Sequence, residues 1–199
     1  MTSVADKIMN RIRRHGRGWV FTPKDFLDIA PRNNVGVALH ALVQDGHIRR
    51  FTRGFYDYPR SHPKLGLLSP ADNQFMGALT RATGDRIWPQ GAYAANALGL
   101  TTQVPAHPLY MTTGNPKTVR VTDKYVIRLK KMTLPKTLTH YGAYLALAAL
   151  DNLGPRIVDQ KMINKCADIL KPADKKDIHD NLRYIRNPWL ADIARQLTA

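Results

Sequence analysis

Glycine and proline fix where the elements of this chain can begin and end, and they leave room only for short ones. Thirteen of each fall within 199 residues. Gly16 and Gly18 end a first apolar-periodic run, and Thr22-Pro23 is a capping residue followed by proline at the first helical position. Pro31 stops that helix, Gly46 closes a third, and Gly54 lies between two β-rich runs, Ile48–Phe51 and Phe55–Tyr58. The apolar spacing agrees with these limits. Ala5, Ile8, Met9 and Ile12 share one helical face, Trp19-Val20-Phe21 is a short strand, and Phe26, Leu27 and Ile29 belong to the second helix. Asn33 or Asn34 then caps a helix whose stripe is Val35, Ala38, Leu39 and Leu42 with Val43. Helix, short strand, helix, tight turn, helix and hairpin is the layout of a winged helix-turn-helix, in which the third helix enters the major groove and the hairpin follows the phosphates.

Charge supports that layout with a partner. Thirty Lys and Arg against fifteen acids, all of them Asp, give +15, a balance that points to polyanions. The hairpin sequence Thr52-Arg53-Gly54 is preceded by Arg49 and Arg50. Arginine supplies a fork of donors suited to phosphate, and glycine lets the backbone come close. On the third helix, the side away from the apolar stripe carries Asn34, Val37, His40 and Gln44, with Arg32 and Asn33 before its first turn. Asn and Gln fit adenine edges, Arg fits guanine, and Val37 can meet a thymine methyl. No acid occurs between Ala30 and Gln44, so the helix N-terminus is open to phosphate. Arg13 and Arg14 at the end of the first helix and Lys24 at the start of the second extend the candidate DNA-binding set.

The remainder reads as a second body. "PRSHPKLGLLS" interrupts both periodicities, so the expected division is residues 1–60 for the winged helix, 61–69 for a linker, and 70–199 for a second, mixed domain. Ser69-Pro70-Ala71-Asp72 is expected to cap a helix, and a small helix spans Tyr93–Leu98. Strand-like runs follow at Leu109–Thr113, Thr118–Thr122 and Tyr125–Lys130, with turns at Gly114-Asn115-Pro116 and Asp123-Lys124. Helices are expected at His140–Asn152, Asp159–Leu170, Ala173–Tyr184 and Pro188–Leu197. The fold class is therefore α+β. Lys117, Arg120, Lys124, Arg128, Lys130, Lys131 and Lys136 crowd one stretch with Asp123 as its single acid. Period two sets Arg128 and Lys130 opposite Ile127 and Leu129, leaving an electropositive sheet face for an acidic partner, more DNA or solvent.

No catalytic pattern emerges. The seven histidines have no metal-ligand spacing, and Ser3, Ser61 and Ser69 lack a nucleophile context. "TTGNPKT" departs from the phosphate-loop spacing and reads as a turn. Asp177 and Asp180 read as ordinary solvent-face acids, and Cys166 reads as a buried, inert thiol on an apolar helical face. No cofactor or metal is expected. No apolar run reaches the length of a bilayer span, so the cytoplasm, and no membrane partner, is the expectation.

"GRGWVFTPKDF", "RGFYDYP", "WPQGAYAANALGLTTQVP" and "YMTTGNPKTVRV" together resemble AbiEi-type antitoxins. The resemblance runs over roughly residues 5–135, and Gly91–Leu100 is its most specific part; the helices after His140 match in pattern only. It implies an N-terminal winged helix joined to an antitoxin domain, repression of the chain's own operon through double-stranded operator DNA, and a cognate nucleotidyltransferase-like toxin. It implies no catalytic motif. Two other readings stand beside it: a transcription regulator with a ligand- or partner-sensing second domain, and an enzyme acting on nucleic acid. Scattered Asp residues count against the enzyme, because metal-dependent phosphoryl chemistry needs grouped acids.

Overall fold

The computed structural model describes residues 2–103, 109–120 and 126–198, and within them the chain is α+β. It divides into two compact units, Met1–Arg86 with Val119–Val126, and Ile87–Thr118 with Ile127–Ala199.

In the first unit, α1 (Val4–His15) opens on a capping box. Ser3 Oγ accepts from the Asp6 amide at 3.1 Å, and Asp6 returns a carboxylate oxygen to the Ser3 amide at 3.0 Å. The helix buries Ile8, Met9 and Ile12, as their spacing requires. After β1 (Val20–Phe21) the second helix is shorter than expected: only a 3-10 turn forms, Pro23–Phe26. The amides of Ile29 and Ala30 both return to the Phe26 carbonyl, at 3.0 and 3.4 Å. Pro31 biases Ala30 away from helical geometry, and so short a segment cannot carry the cost of helix nucleation.

The next helix, α2 (Arg32–Gln44), starts directly at Pro31, whose carbonyl accepts from the Val35 amide at 3.0 Å. Asn33 and Asn34 therefore lie in its first turn and do not cap it. Val35, Ala38, Leu39 and Leu42 are buried, and they meet α1 and a cluster of Trp19, Phe21 and Phe26, with Phe21 edge-on to Phe26 at 5.4 Å. The hairpin β2 (Arg49–Thr52) and β3 (Phe55–Asp57) joins β1 in a three-stranded antiparallel sheet of order β1-β3-β2.

The expected linker is itself folded. Residues 61–69 contain a second small hairpin, β4 (Ser61–His62) and β5 (Gly66–Leu67). The helix beyond it, α3 (Asp72–Thr83), belongs to the first unit. Phe75 packs against Phe51 at 5.7 Å and Phe55 at 4.9 Å between ring centroids. Arg81 reaches Asp25 and the Val20 carbonyl, both at 2.8 Å. The first compact unit thus runs to Arg86, because the hairpin's aromatic face needs a cover that residues 1–60 do not supply. Ala71, not Ser69, is the residue preceding α3.

A four-stranded sheet contains β6 (Ile87–Pro89), β7 (Leu109–Thr112), β8 (Lys117–Arg120) and β9 (Val126–Lys131) in the order β6-β7-β9-β8. β7 and β9 run parallel, with Leu109 opposite Arg128 and Thr112 opposite Lys131. Val121, Thr122, the expected Asp123-Lys124 turn, Tyr125, His107 and the end of the "TTQVP" motif lie outside the described residues. The helices of the second unit are α4 (Gly91–Ala97), α5 (Tyr141–Leu153), α6 (Gln160–Ile169), α7 (Pro172–Asn181) and α8 (Pro188–Thr198), with a 3-10 turn at Leu182–Tyr184.

Residues Ala143–Leu150 of α5 are all buried, which marks a helix surrounded by protein. Against it lies α4. A Cβ at Gly91 would come within 2.2 Å of the Ala148 carbonyl oxygen, so this position admits no side chain. Ala94 and Ala95 are fully buried beside it. Tyr144 donates its hydroxyl proton to the Pro89 carbonyl at 2.9 Å, and burial raises its pKa well above the usual phenol value. The Gly91–Leu100 motif is therefore, in physical terms, a close-packing motif.

Asp177 is not a solvent-face acid. It is buried, and its carboxylate accepts from the amides of Thr139 and His140, both at 2.8 Å, just before α5 begins. Asp174, also buried, accepts from the Lys171 amide at 3.0 Å. Asp180 does face solvent, paired with Lys176 at 2.8 Å, which holds its carboxyl below the usual range.

Candidate nucleic-acid interface

On α2 the apolar stripe determines what faces outward. With Val35, Ala38, Leu39 and Leu42 turned in, Arg32, Asn33, Asn34, Val37, His40 and Gln44 are all exposed. Val37 is 71 % exposed, an apolar side chain on a polar face with nothing of its own fold to cover it. The first turn has no acid, so the positive end of the helix dipole is reinforced by Arg32 alone.

The hairpin separates its arginines by strand geometry. Neighbouring side chains on a strand point to opposite faces. Arg49 turns inward and makes a bidentate pair with Asp57, its cross-strand partner, at 3.0 and 2.7 Å, and also donates to the Leu68 carbonyl at 2.8 Å. Asp57 is only 1 % exposed. The side chain of Arg49, a candidate DNA contact from sequence, is thereby engaged within the fold. Arg50 turns outward and is exposed. Between Arg50 and Thr52 the register shifts, a bulge that re-aims the strand end. Thr52 Oγ1 donates to the Arg120 carbonyl at 2.8 Å, so its hydroxyl is already engaged. Arg53 and Gly54 make the two-residue turn between paired Thr52 and Phe55. Gly54 has φ +80°, and nothing lies within 4 Å of where its Cβ would be. Arg53 is exposed at this open tip.

Lys24 donates to the Ala82 carbonyl at 2.6 Å, which ties the 3-10 turn to the last turn of α3, where a cation is electrostatically favoured. Arg13 lines a groove of about 440 Å³ together with Arg50, Arg17 and His47. Arg17 stacks over Tyr58 at 4.6 Å and donates to the Pro59 carbonyl. Arg14 is exposed outside this groove. Among the described residues no hydrogen bond or ion pair engages the side chains of Arg13, Arg14, Arg32, Arg50 or Arg53. Arg11, by contrast, holds Asp28 through two contacts of 2.7 and 2.6 Å, and that pairing depresses the Asp28 carboxyl. His47, exposed beside Gly46, lines the same groove and is not among the residues expected from the sequence.

On β9, Ile127 and Leu129 are buried while Arg128 and Lys130 are exposed, as period two requires. Lys131 is also exposed and breaks the alternation, and Met132 turns in after it. Lys117 and Arg120 are exposed on β8, the neighbouring strand; Arg120 groups with the first unit. Cys166 is 1 % exposed, and burial pushes its thiol up to about 11. Among the described residues there is no group of three or more His, Cys, Asp or Glu able to hold a metal ion, and no helix long and apolar enough to cross a membrane.

Comparison with known proteins gives little beyond kinship. A family model described as a family of unknown function (DUF6088) matches residues 7–178. No curated protein matches the chain. Among solved structures, the crystal structure of the RV2827C protein from Mycobacterium tuberculosis aligns with a TM-score of 0.45 and 13% identity, over 97% of this chain and 81% of that one.

Proposed function

The chain belongs to the DUF6088 family, and we propose that it is a DNA-binding antitoxin that represses its own operon and counteracts a nucleotidyltransferase-like toxin. The observation that carries the DNA-binding half is the exposed, acid-free face of α2 bearing Asn34, Val37, His40 and Gln44. In this reading α2 lies in the major groove. Asn34 and Gln44 offer amide pairs to adenine edges, His40 offers a ring nitrogen, and Val37 meets a thymine methyl. Arg32, Arg50 and Arg53 take phosphates and set the register without reading sequence. Arg49, Thr52 and Lys24 contribute by holding the hairpin and the 3-10 turn in place.

The antitoxin half rests on the resemblance to AbiEi-type antitoxins, supported by the exposed cations of β9. Arg128, Lys130 and Lys131 suit a toxin surface that is acidic around its metal site. The two halves are tested separately. Fluorescence anisotropy with the DNA upstream of the chain's own gene should show Asn34→Ala or His40→Ala weakening that duplex by about 1–3 kcal/mol and leaving a scrambled duplex nearly unchanged. Equal losses on both would remove the base-reading role. For the antitoxin, the full chain should rescue cells expressing a nucleotidyltransferase encoded next to its gene, and reversing Arg128, Lys130 and Lys131 to Glu should weaken rescue with the fold intact. Absence of rescue by the unaltered chain would leave a repressor without antitoxin activity.

A further inference from the structure

The second unit carries an open cleft that the DNA reading does not use. It lies between the chain leaving β9 and the run from the Leu182–Tyr184 turn into α8, and its volume is about 920 Å³. Lys131, Arg183, Arg186, Tyr184 and Asn187 line it. The one carboxylate in its wall, Asp151, accepts from Nδ2 of Asn187 at 3.2 Å. Buried Leu134 and Ile185 give the cleft an apolar floor. Arg183 and Arg186 are exposed, and among the described residues no ion pair engages either. The Arg183 guanidinium lies 4.7 Å from the centroid of the Tyr184 ring, and that tyrosine is 47 % exposed.

These features select a ligand. The volume is that of a small-molecule site, which for such clefts runs to roughly 1,000 Å³. Four cations, Lys131, Lys136, Arg183 and Arg186, beside one carboxylate that is already hydrogen-bonded favour an anion, and two guanidinium forks match phosphate oxygens in pairs. A purely inorganic anion would leave the apolar floor and the tyrosine ring without a role. A flat, partly apolar group joined to the phosphates uses both, because bases stack on aromatic and guanidinium planes. We propose that this cleft binds a nucleoside polyphosphate, with its base laid on Tyr184 and its phosphates held by Lys131, Arg183 and Arg186. This goes beyond DNA binding and does not depend on it: the residues concerned are all in the second unit.

Isothermal titration of the full chain at about 0.15 M salt tests the assignment with five probes: ATP, GTP, inorganic triphosphate, adenosine and a single-stranded tetranucleotide. At least one nucleotide should bind roughly tenfold tighter than both triphosphate and adenosine, a gain within reach of one base stack. Arg183→Ala and Arg186→Ala should each weaken it about tenfold, Tyr184→Ala should reduce it to the triphosphate level, and Tyr184→Phe should restore it. Arg53→Ala, in the first unit, should leave it unchanged. Triphosphate binding as tightly as ATP, or an Arg53→Ala loss equal to that of Arg186→Ala, would reduce the cleft to general attraction by a +15 chain and overturn the proposal. Tighter binding of the tetranucleotide through the same three residues would overturn it as well, by making the cleft a site for an unpaired strand.

Discussion

Arg49 and Arg53 stand four positions apart in one hairpin and do opposite things. Arg49 closes on buried Asp57 and the Leu68 carbonyl, whereas Arg53 is exposed at an open two-residue turn. The same division runs through the two units. In the first, arginines supply much of the internal glue: Arg11 to Asp28, Arg17 to Pro59 and Tyr58, and Arg81 to Asp25 and Val20. In the second, carboxylates take that part, with Asp177 and Asp174 satisfying backbone amides while Arg128, Lys130 and Arg186 face outward. A count of charges therefore overstates the cations available to DNA in the first unit more than in the second. What separates an exposed arginine from an engaged one here is the strand face and the nearest carbonyl, neither of which a charge count contains.

The sharpest way to break this division is Arg49→Ala. It leaves the Asp57 carboxylate buried without its partner, a change that costs 3–5 kcal/mol in fully buried pairs. Because the Arg49 side chain is 30% exposed, the expected loss is about 3 kcal/mol, read by chemical denaturation. A loss below 1 kcal/mol would remove the structural role given to Arg49. Next comes Gly91→Ala, which sets a methyl against the Ala148 carbonyl and should cost about 2 kcal/mol by overpacking; an unaffected denaturation midpoint would mean α4 and α5 are not in the close contact described. An effect of similar size, seen only at alkaline pH, concerns Cys166. Its folded thiol is raised from 9.0 to about 11, so the neutral form is favoured by the fold. The associated stability is fully present below pH 9.0 and is lost as pH rises toward 11. Replacing Cys166 with Ala should make the fall in stability across that window shallower, read by chemical denaturation at its two ends; the remaining slope belongs to the buried Tyr144 and half-buried Tyr141. The smallest stability effect is Arg53→Ala, within about 0.5 kcal/mol, although it should lower the salt dependence of DNA binding by about one phosphate contact.

Much of the fold is legible in the sequence because local rules coincide with it. The stripe of α2, the stop at Gly46, and the alternation of Ile127, Arg128, Leu129 and Lys130 all carry through to the observed structure. The shortened second helix and the start of α2 at Pro31 are local misses, whereas the larger ones come from contact between segments distant in sequence. Residues 61–69 look like a linker by composition, yet α3 beyond them is drawn onto the first unit by Phe51 and Phe55. A cut before residue 70 would therefore strip the hairpin of its cover. Three-residue β6 has no periodicity to read, and the parallel pairing of β7 with β9 cannot be inferred from the turns between them. The candidate site was legible to the same extent. Exposure of Asn34, Val37, His40 and Gln44 follows from helical period alone, whereas the engagement of Arg49, Thr52 and Lys24 depends on Asp57, Arg120 and Ala82. The same holds for Asp177, whose role is set by amides 37 and 38 positions away.

The central claim is that duplex DNA meets the exposed face of α2 and the hairpin tip. Its most direct test is an NMR titration of the full, isotope-labelled chain with the duplex from upstream of its own gene. The account predicts that the Val37 methyls and the amides of Arg32–Asn34, His40, Gln44 and Arg50–Gly54 shift first and saturate together, while Ile127, Leu129 and the α5 core stay in place. Shifts confined to Arg128–Lys131, with the Val37 methyls unmoved at saturation, would contradict it.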